Sequence, residues 1–293
     1  MSQSDWSSDV CSSDLVNHMR DHKGLNEIAS IIRREIVTMI HGAKSGHPGG
    51  SLSAVEILTA LYFDEMNIDP TNPKMEDRDR FVLSKGHAAP VLYATLAERG
   101  FFDKKELAGF RKFGAMLQGH PDMNKVPGVD MSTGSLGQGF SAACGMAMGS
   151  KLDNAPWNVY AILGDGEIQE GIVWEATMSA AHYKLDNLIV FLDYNGLQID
   201  GNIESVMNVN PIEGKFKSFG WNVITIDGHD YDQIFAALDI AKDTVGKPTI
   251  IIAKTIKGKG VSFMENQASW HGSALNDAEL KQALLDLGGA CRE

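Results

Sequence analysis

Cysteines are few in this sequence, and long hydrophobic runs are absent. The three cysteines, Cys11, Cys144 and Cys291, lie too far apart to form a disulfide framework or a metal-binding cluster. We therefore expect reduced thiols, with Cys144 as a small residue of the core. No stretch approaches the roughly eighteen apolar residues of a membrane span, and the N-terminus lacks the basic and then apolar pattern of a signal peptide. These absences predict a soluble protein that does not bind membranes and resides in the cytoplasm.

Basic residues are also scarce relative to acidic ones. The sequence has 26 lysines and arginines against 38 aspartates and glutamates, which gives a formal net charge of −12. No basic stripe is present that would neutralise nucleic-acid phosphates, so nucleic acid is excluded as an expected partner. A small phosphorylated ligand would still need local positive charge, and a metal ion or histidine side chains are natural sources of it.

Strand and helix patterns alternate along most of the chain. Residues 1–15 (MSQSDWSSDVCSSDL) show neither pattern, and we interpret them as a disordered or non-native leader before one domain, residues 16–293. Near-continuous apolar runs predict strands at 80–83, 158–163, 188–192, 222–226 and 249–253. Periodic apolar positions predict amphipathic helices at 25–40, 231–245 and 276–287. We also predict helices at 53–66 and from about 137, a short charged helix at 103–113, and a crossover helix rich in small residues at 171–184. Because buried strands that alternate with helices are typical of α/β proteins, we predict a doubly wound parallel sheet flanked by helices.

The most informative segment is residues 164–201, GDGEIQEGIVWEATMSAAHYKLDNLIVFLDYNGLQIDG. Asp165, between Gly164 and Gly166, directly follows one predicted strand, and Asn195 follows the next. Ligands of open α/β sheets bind at the carboxyl ends of strands, and two oxygen ligands there suit Mg²⁺, which often shares its shell with phosphate oxygens. A diphosphate is therefore the expected ligand. Taken singly, an aspartate and an asparagine at such positions more often cap a helix or form a turn.

The longer strings GDGEIQEG and YNGLQIDG resemble the thiamine diphosphate motif of the transketolase family. Other segments are similar to that family too: AKSGHPGGSLS, SKGHAAP, and GHP followed by PGV and TGSLGQG. The resemblance implies thiamine diphosphate and a divalent cation, Mg²⁺ or Ca²⁺, as cofactors. It implies the thiamine diphosphate-binding fold, with this chain as its diphosphate-binding domain. It also implies that the metal is bound by the side chains of Asp165 and Asn195 and by the backbone carbonyl of Leu197.

Four histidines lie in four separate loops, and each alone would be unremarkable. The resemblance implies that His47 lies beside the reactive carbon of the cofactor and that His87 binds the diphosphate. It implies that His120 faces the substrate, and that His271 reaches both the diphosphate and the substrate. We predict catalytic roles for His47, His120 and His271, because an imidazole with a pKa of about 6.5 exchanges protons near neutral pH. The loop before the last histidine holds three lysines that are either solvated or functional: Lys254, Lys257 and Lys259.

Further cofactor contacts follow from the same resemblance. The complete predicted set is His47, His87, Gly134, Leu136 through its backbone, Gly164, Asp165, Gly166, Glu170, Asn195, Leu197, Ile199 and His271. Ser135 stands where many single-chain transketolases have proline, which leaves the shape of that glycine-rich turn open. Glu170 and Glu175 match acidic residues near the subunit interface of the family, or else they are helix N-terminal carboxylates favoured by the helix dipole.

The resemblance covers residues 24–287 and then stops. It implies transfer of a two-carbon glycolaldehyde unit from a ketose phosphate to an aldose phosphate. Full-length transketolases continue with a pyrimidine-binding domain and a C-terminal domain, and the cofactor binds between the diphosphate and pyrimidine domains. We therefore predict the N-terminal subunit of a split transketolase, which is active only with a separate C-terminal subunit. We expect a heterotetramer with homodimer contacts through the cofactor domain.

Other functions are compatible with parts of the pattern. Another thiamine diphosphate-dependent subunit, dihydroxyacetone synthase-like or deoxyxylulose phosphate synthase-like, would share the cofactor motif. A non-catalytic cofactor-binding subunit is less consistent with the complete set of histidines. An ordinary Rossmann nucleotide binder is disfavoured because no G-x-G-x-x-G opens the first strand-to-helix turn. The sequence leaves the preferred ketose and aldose open.

Overall fold

A five-stranded parallel sheet forms the centre of the protein, in a computed structural model that describes residues 21–288. Its strands are β1 (Arg80–Leu83), β2 (Val159–Gly164), β3 (Leu188–Tyr194), β6 (Asn222–Asp227) and β7 (Thr249–Lys254). They lie in the order β1-β2-β3-β7-β6, and every neighbouring pair is parallel. The predicted leader, residues 1–15, lies outside the described residues.

Alternate residues of each strand enter two separate apolar cores. In β3, Ile189 and Phe191 face one core, whereas Leu188, Val190 and Leu192 face the other. This alternation follows from the two-residue repeat of a strand, and it explains why the strands are near-continuous apolar runs in the sequence. The predicted doubly wound parallel sheet, covered on both faces, is confirmed.

Helices pack on both faces of the sheet. They are α1 (His22–Ala43), α2 (Pro48–Leu52), α3 (Val55–Ala60), α4 (Ala89–Arg99), α5 (Gln138–Leu152), α6 (Gly171–His182), α7 (Ile203–Met207), α8 (Ile212–Ser218), α9 (Tyr231–Asp243) and α10 (Asp277–Asp286). Helices α1, α3, α4 and α9 bury their apolar residues in the first core, and α5, α6 and α8 do so in the second. Within residues 21–288, the structure contains no helix with the length and apolarity of a membrane span.

Two helix predictions differ from the structure. The predicted helix 53–66 is interrupted. A short helix already begins at Pro48, a turn at residues 53 and 54 separates it from α3, and residues Leu61–Glu65 continue α3 as one π-helical turn. Proline favours the first position of a helix, and complete burial of Gly49 and Gly50 outweighs the low helix propensity of glycine. The predicted helix 103–113 is wrong. Only a 3₁₀ segment, Lys104–Gly109, forms there, because the backbone leaves the helical conformation at Phe110 and Arg111 has a φ of 57°, which a right-handed helix does not accommodate.

A small hairpin follows β3, and the sequence patterns did not predict it. Strands β4 (Leu197–Gln198) and β5 (Gly201–Asn202) are antiparallel and have only two residues each, too few for a recognisable repeat. The hairpin begins within the turn that holds Asn195, so it shapes the edge of the sheet where the candidate site lies.

Candidate active site

Asp165 and Asn195 lie at the carboxyl ends of neighbouring strands. Asp165 directly follows β2, Asn195 directly follows β3, and the two strands pair so that Gly164 lies opposite Asp193. The Asp165 side chain is buried, with 3% of the residue exposed. Its Oδ1 accepts a hydrogen bond from the Gly166 N–H at 2.8 Å, and its Oδ2 accepts one from the Gly196 N–H at 2.6 Å. The carboxylate that the sequence places on one strand end therefore contacts the turn at the other.

The turn after β3 presents two further oxygens beside this carboxylate. The Asn195 Oδ1 accepts from the Leu197 N–H at 3.2 Å, and the Leu197 carbonyl accepts from the Lys257 Nζ at 3.1 Å. Gly196 has a φ of 75°, in the left-handed region that glycine adopts without strain. The three predicted metal ligands thus meet around one tight turn.

The local charges suit a divalent cation. Burial and the neighbouring Asp193 charge raise the pKa of Asp165 to about 7, although two backbone N–H groups and Lys257 oppose that rise. A bound cation would relieve this unfavourable charge. A carboxylate, a carboxamide oxygen and a carbonyl are ligands that Mg²⁺ and Ca²⁺ accept, with water or phosphate oxygens completing the shell. Residues 21–288 contain no cluster of three His, Cys, Asp or Glu side chains arranged for a metal.

A buried ion pair between Lys85 and Asp193 stabilises the turn that holds Asn195. Asp193 is fully buried, and its Oδ2 accepts from the Lys85 Nζ and, at 2.6 Å, from the Ser53 hydroxyl. The Asn195 Nδ2 donates to the same oxygen at 3.3 Å, which orients the carboxamide. Lys85 also donates to the Gly50 carbonyl at 2.7 Å. Sequence reasoning missed this pair. The sequence hints at it only through the positions of the two charges: Lys85 lies beside a glycine in SKGHAAP, and Asp193 lies within the apolar strand β3.

Three of the predicted histidines form one cluster. The ring centroids of His47, His87 and His271 lie 5.1 to 5.6 Å apart. Burial is the largest cause that lowers their pKa values, and nearby cations add to it. The pKa of His47 and that of His271 fall to about 4, and that of His87 falls well below its usual value. The cluster is therefore neutral at physiological pH, and each ring can both donate and accept a hydrogen bond.

His120 reaches the site from another loop and is exposed. Its carbonyl accepts from the Tyr93 hydroxyl at 2.8 Å, which fixes the backbone there. A side chain at Gly134 would lie 3.1 Å from the His120 ring, so glycine at that position permits close packing of the two loops. The predicted cofactor residue Gly134 and the predicted substrate residue His120 are thus neighbours, and Leu136 lies half-buried in the same turn.

Lys257 is a site residue that the sequence left undecided. It is 2% exposed, and its Nζ contacts the His271 Nδ1 at 3.1 Å as well as the Leu197 carbonyl. Burial lowers its pKa to about 8, although the charges of Asp165 and Asp193 oppose that change. The ammonium therefore joins the histidine cluster to the turn after β3, where its positive charge suits an anion. Lys254, by contrast, is exposed.

Glu167 ties the glycine-rich turn to the end of β2. Its carboxylate accepts from the Gly137 N–H at 2.8 Å, from the Gly164 N–H at 3.0 Å and from the Ser84 hydroxyl. The residue is buried, and its hydrogen bonds connect the loop after β1, the turn before α5 and the end of β2. The sequence offered no signal for this role beyond its place in the GDGE string.

The close approach of two of these loops gives a testable expectation at Gly86. A Cβ at this position would lie 2.6 Å from the Thr133 Oγ1 and 2.7 Å from the Gly134 N. We expect Gly86→Ala to lower the free energy of unfolding by about 1 to 3 kcal/mol, as overpacking typically does. Urea denaturation measures this. As a control, Gly42→Ala in α1, where a Cβ would meet no described atom within 4 Å, should leave stability unchanged or raise it by up to about 1 kcal/mol. Equal stability of both variants would contradict the close packing.

The remaining predicted residues lie at the periphery. Glu170 is exposed at the N-cap of α6, and Glu175 is exposed one turn further on. Ile199 is 68% exposed at the tip of the β4–β5 hairpin. Their cofactor and interface roles stay predictions.

Known proteins resemble this chain over most of its length. Residues 25–292 match the family described as transketolase, thiamine diphosphate binding domain. The 6-deoxy-6-sulfo-D-fructose transketolase subunit SqwG of Clostridium sp. (strain MSTE9) is 48% identical over 263 residues, covering 90% of this chain and 96% of that subunit. An apulose-4-phosphate transketolase subunit of Phocaeicola vulgatus is 42% identical over 255 residues, covering 87% of this chain and 90% of that subunit.

A solved structure matches as well. The crystal structure of transketolase from Campylobacter jejuni has a TM-score of 0.87 and 36% sequence identity, and the match covers 92% of this chain and 44% of that one. The chain therefore spans nearly the whole of the two subunits but less than half of the Campylobacter enzyme. With matches over most of its length, the chain belongs to the transketolase family and carries that family's thiamine diphosphate-binding domain.

Proposed function

We propose that this chain is the N-terminal subunit of a two-subunit transketolase, which transfers a two-carbon glycolaldehyde unit from a ketose to an aldose. The main observation behind the proposal is that Lys257 connects two parts of the site. Its ammonium contacts both the Leu197 carbonyl of the metal-binding turn and the His271 ring of the neutral histidine cluster. A cation site, an anion site and proton-exchanging groups therefore adjoin one another at one edge of the sheet.

The residues fit the cofactors that this reaction needs. Asp165, Asn195 and the Leu197 carbonyl would hold a divalent cation, Mg²⁺ or Ca²⁺. His87, His271 and Lys257 would bind the diphosphate, with Gly164 and Gly166 allowing its close approach. Thiamine diphosphate, when bound, supplies a nucleophilic carbanion and an electron sink. The chain itself supplies position and charge.

The neutral imidazoles have a separate task toward the sugar. His47 and His120 would bind the hydroxyl and carbonyl oxygens of the donor ketose. A neutral ring can donate a hydrogen bond to a carbonyl and accept one from a hydroxyl, whereas an imidazolium can only donate. The pKa values of both residues are lowered, first by burial and then by Arg111, and this keeps the rings in the neutral form that can do both.

Two observations support a partner subunit. The chain matches nearly the full length of relatives that are themselves named as subunits. Apolar side chains are also exposed near the site, including Ile199 at 68% and Met207 at 60%. We infer that a C-terminal subunit with a pyrimidine-binding domain covers this edge, in a heterotetramer built on homodimer contacts.

Reconstitution tests the proposal. The chain alone, with thiamine diphosphate and Mg²⁺, should show no two-carbon transfer, and adding a C-terminal transketolase subunit from the same genome should restore it by orders of magnitude. A coupled assay of aldose formation measures this. Full activity of the chain alone would contradict its assignment to a two-subunit enzyme. No activity with any C-terminal subunit, despite cofactor binding, would favour a non-catalytic subunit.

The same assay, run with a panel of ketoses, identifies the preferred donor sugar. The two subunits compared above are named for 6-deoxy-6-sulfo-D-fructose and apulose 4-phosphate, so the donor panel should include both beside the common ketose phosphates. We propose a ketose with an anionic terminal group as the donor class. Preference for an uncharged ketose would contradict this class while leaving the two-carbon transfer intact.

A further inference from the structure

Arg111 adopts a backbone conformation that is unfavourable for its residue type. Its φ is 57°, in the left-handed region, and its N–H donates to the Leu117 carbonyl at 2.8 Å, which closes a tight loop. Its Nε is buried and has no hydrogen-bond partner within residues 21–288. Both features cost folding free energy, and such costs persist mainly where function requires the geometry.

The guanidinium of Arg111 lies between two histidine-bearing loops. Its Nη1 donates to the Ser45 Oγ at 2.6 Å and its Nη2 lies 3.4 Å from the His47 Nδ1, both on the loop between α1 and α2. On the other side it packs against the backbone of Gly119, where a side chain would lie 3.1 to 3.3 Å from three guanidinium atoms. Gly119 directly precedes His120. One side chain therefore contacts both loops that carry the proposed substrate histidines.

The contact to His47 has a defined chemical consequence. A guanidinium has only donors and stays charged, so the ring nitrogen facing it must be the acceptor. The hydrogen of a neutral His47 then belongs on Nε2. That nitrogen lies on the side of Gly272, where a side chain would be 3.5 Å away. The rings of His87 and His271 pack against the His47 ring, with centroids 5.1 and 5.6 Å away.

The other charged and titratable groups that face His47 from the described part of the chain are all bases. They are His87, His271, His120 and Lys257, and Arg111 is the cation in closest contact. Protonation of His47 would place a second positive charge against the guanidinium. Arg111 therefore opposes protonation as well as selecting one tautomer.

We propose that Arg111 is a positioning residue that fixes His47 as the Nε2–H tautomer and holds the His47 and His120 loops in register for the sugar. The consequence for the sugar rests on the proposed function, whereas the tautomer does not. Arg111 binds no substrate atom in this role.

Histidine NMR on the full-length chain tests the tautomer without any ligand or partner. With ¹⁵N-histidine labelling, wild-type His47 should carry its hydrogen on Nε2 at pH 7. In Arg111→Met we expect a mixture of tautomers and a titration midpoint that rises by about one pH unit or more. Lys112→Met, an exposed neighbour, is the matched control and should change neither quantity. The inference is overturned if wild-type His47 is protonated on Nδ1, or if Arg111→Met leaves both quantities unchanged.

Arg111→Lys decides the question if the methionine variant does not fold. A lysine keeps the charge but cannot donate to Ser45 and His47 in the fork geometry of a guanidinium. In this variant we expect the titration midpoint of His47 to stay low while its ring becomes a mixture of tautomers. A His47 tautomer unchanged from the wild type would overturn the proposal.

The reconstituted complex supplies the catalytic readout. We expect Arg111→Met to lower kcat/KM for the donor by about tenfold to a hundredfold, with unchanged affinity for thiamine diphosphate, and to move the acid limb of the profile upward in pH. If the wild-type complex transfers no two-carbon unit, the proposed function fails while the NMR result still stands. If it does, and Arg111→Met keeps the wild-type pH profile, the positioning role fails.

Discussion

Asp165→Asn should reduce the two-carbon transfer activity of the reconstituted complex by at least about a hundredfold, because it removes the one charged ligand proposed for the metal. Carbonyl and carboxamide oxygens alone hold a divalent cation weakly. The same substitution should abolish most of the thermal stabilisation that Mg²⁺ and thiamine diphosphate give the chain, since a ligand stabilises only the state that binds it.

The ligand-free stability of this variant should change little. Asparagine keeps one of the two acceptors that Asp165 offers to Gly166 and Gly196, so about 1 kcal/mol of hydrogen bonding is lost. Removal of a buried negative charge beside Asp193 offsets this loss. Because stability without ligand stays close to that of the wild type, a lost thermal shift with Mg²⁺ and thiamine diphosphate would report lost binding and not misfolding.

Activity assays and thermal shifts with and without Mg²⁺ measure both effects. Asp200→Asn is the matched control, because Asp200 is an exposed carboxylate in the neighbouring hairpin. It should behave as wild type. If Asp165→Asn kept the Mg²⁺-dependent thermal shift and the turnover, Asp165 would not be a metal ligand.

Asp193→Ala should lower the free energy of unfolding by about 3 to 5 kcal/mol, the usual cost of leaving a buried charge without its partner. Lys85 is 2% exposed, and after the substitution its ammonium would have to rely on the neutral Gly50 carbonyl. The hydroxyls of Ser53 and Thr255 would lose the carboxylate that accepts from both. Burial alone would raise the pKa of Asp193, but the Lys85 ammonium outweighs burial and holds that pKa below its usual range.

A paired apolar replacement distinguishes this cause from a general packing defect. Asp193→Leu combined with Lys85→Met should recover most of the loss, because an apolar pair of similar volume has no desolvation cost. Lys217→Ala, which breaks the exposed pair with Glu213, should change stability by less than about 1 kcal/mol. Urea denaturation of all three variants provides the comparison. A double variant no more stable than Asp193→Ala would contradict the explanation.

The sheet and the location of the site were predictable because both depend on local patterns. Apolar runs mark strands buried on both faces, so the predicted strands 80–83 and 249–253 lie within one residue of β1 and β7. The carboxyl ends of adjacent parallel strands must share an edge, so Asp165 and Asn195 could be paired from the sequence.

The residues that the sequence missed act across long separations. Lys85 and Asp193 are 108 residues apart, and Arg111 and His47 are 64 apart. Lys257 resembles an ordinary basic residue of a glycine-rich loop until folding buries it against Leu197 and His271. Short motifs carry no information about such contacts, because tertiary packing decides which charges are enclosed.

The alternating burial of the strands has a consequence for how the sheet is aligned during folding. Because β3 is apolar on both faces, slipping by one residue against its neighbours would exchange one set of apolar side chains for another at little cost. Asp193 removes that freedom, since a slipped strand would turn its carboxylate into the opposite apolar layer and separate it from the Lys85 ammonium. The charge of Asp193 thus raises the free energy of misaligned strand pairings. It does so directly before the turn that carries the Asn195 and Leu197 oxygens proposed to bind the metal.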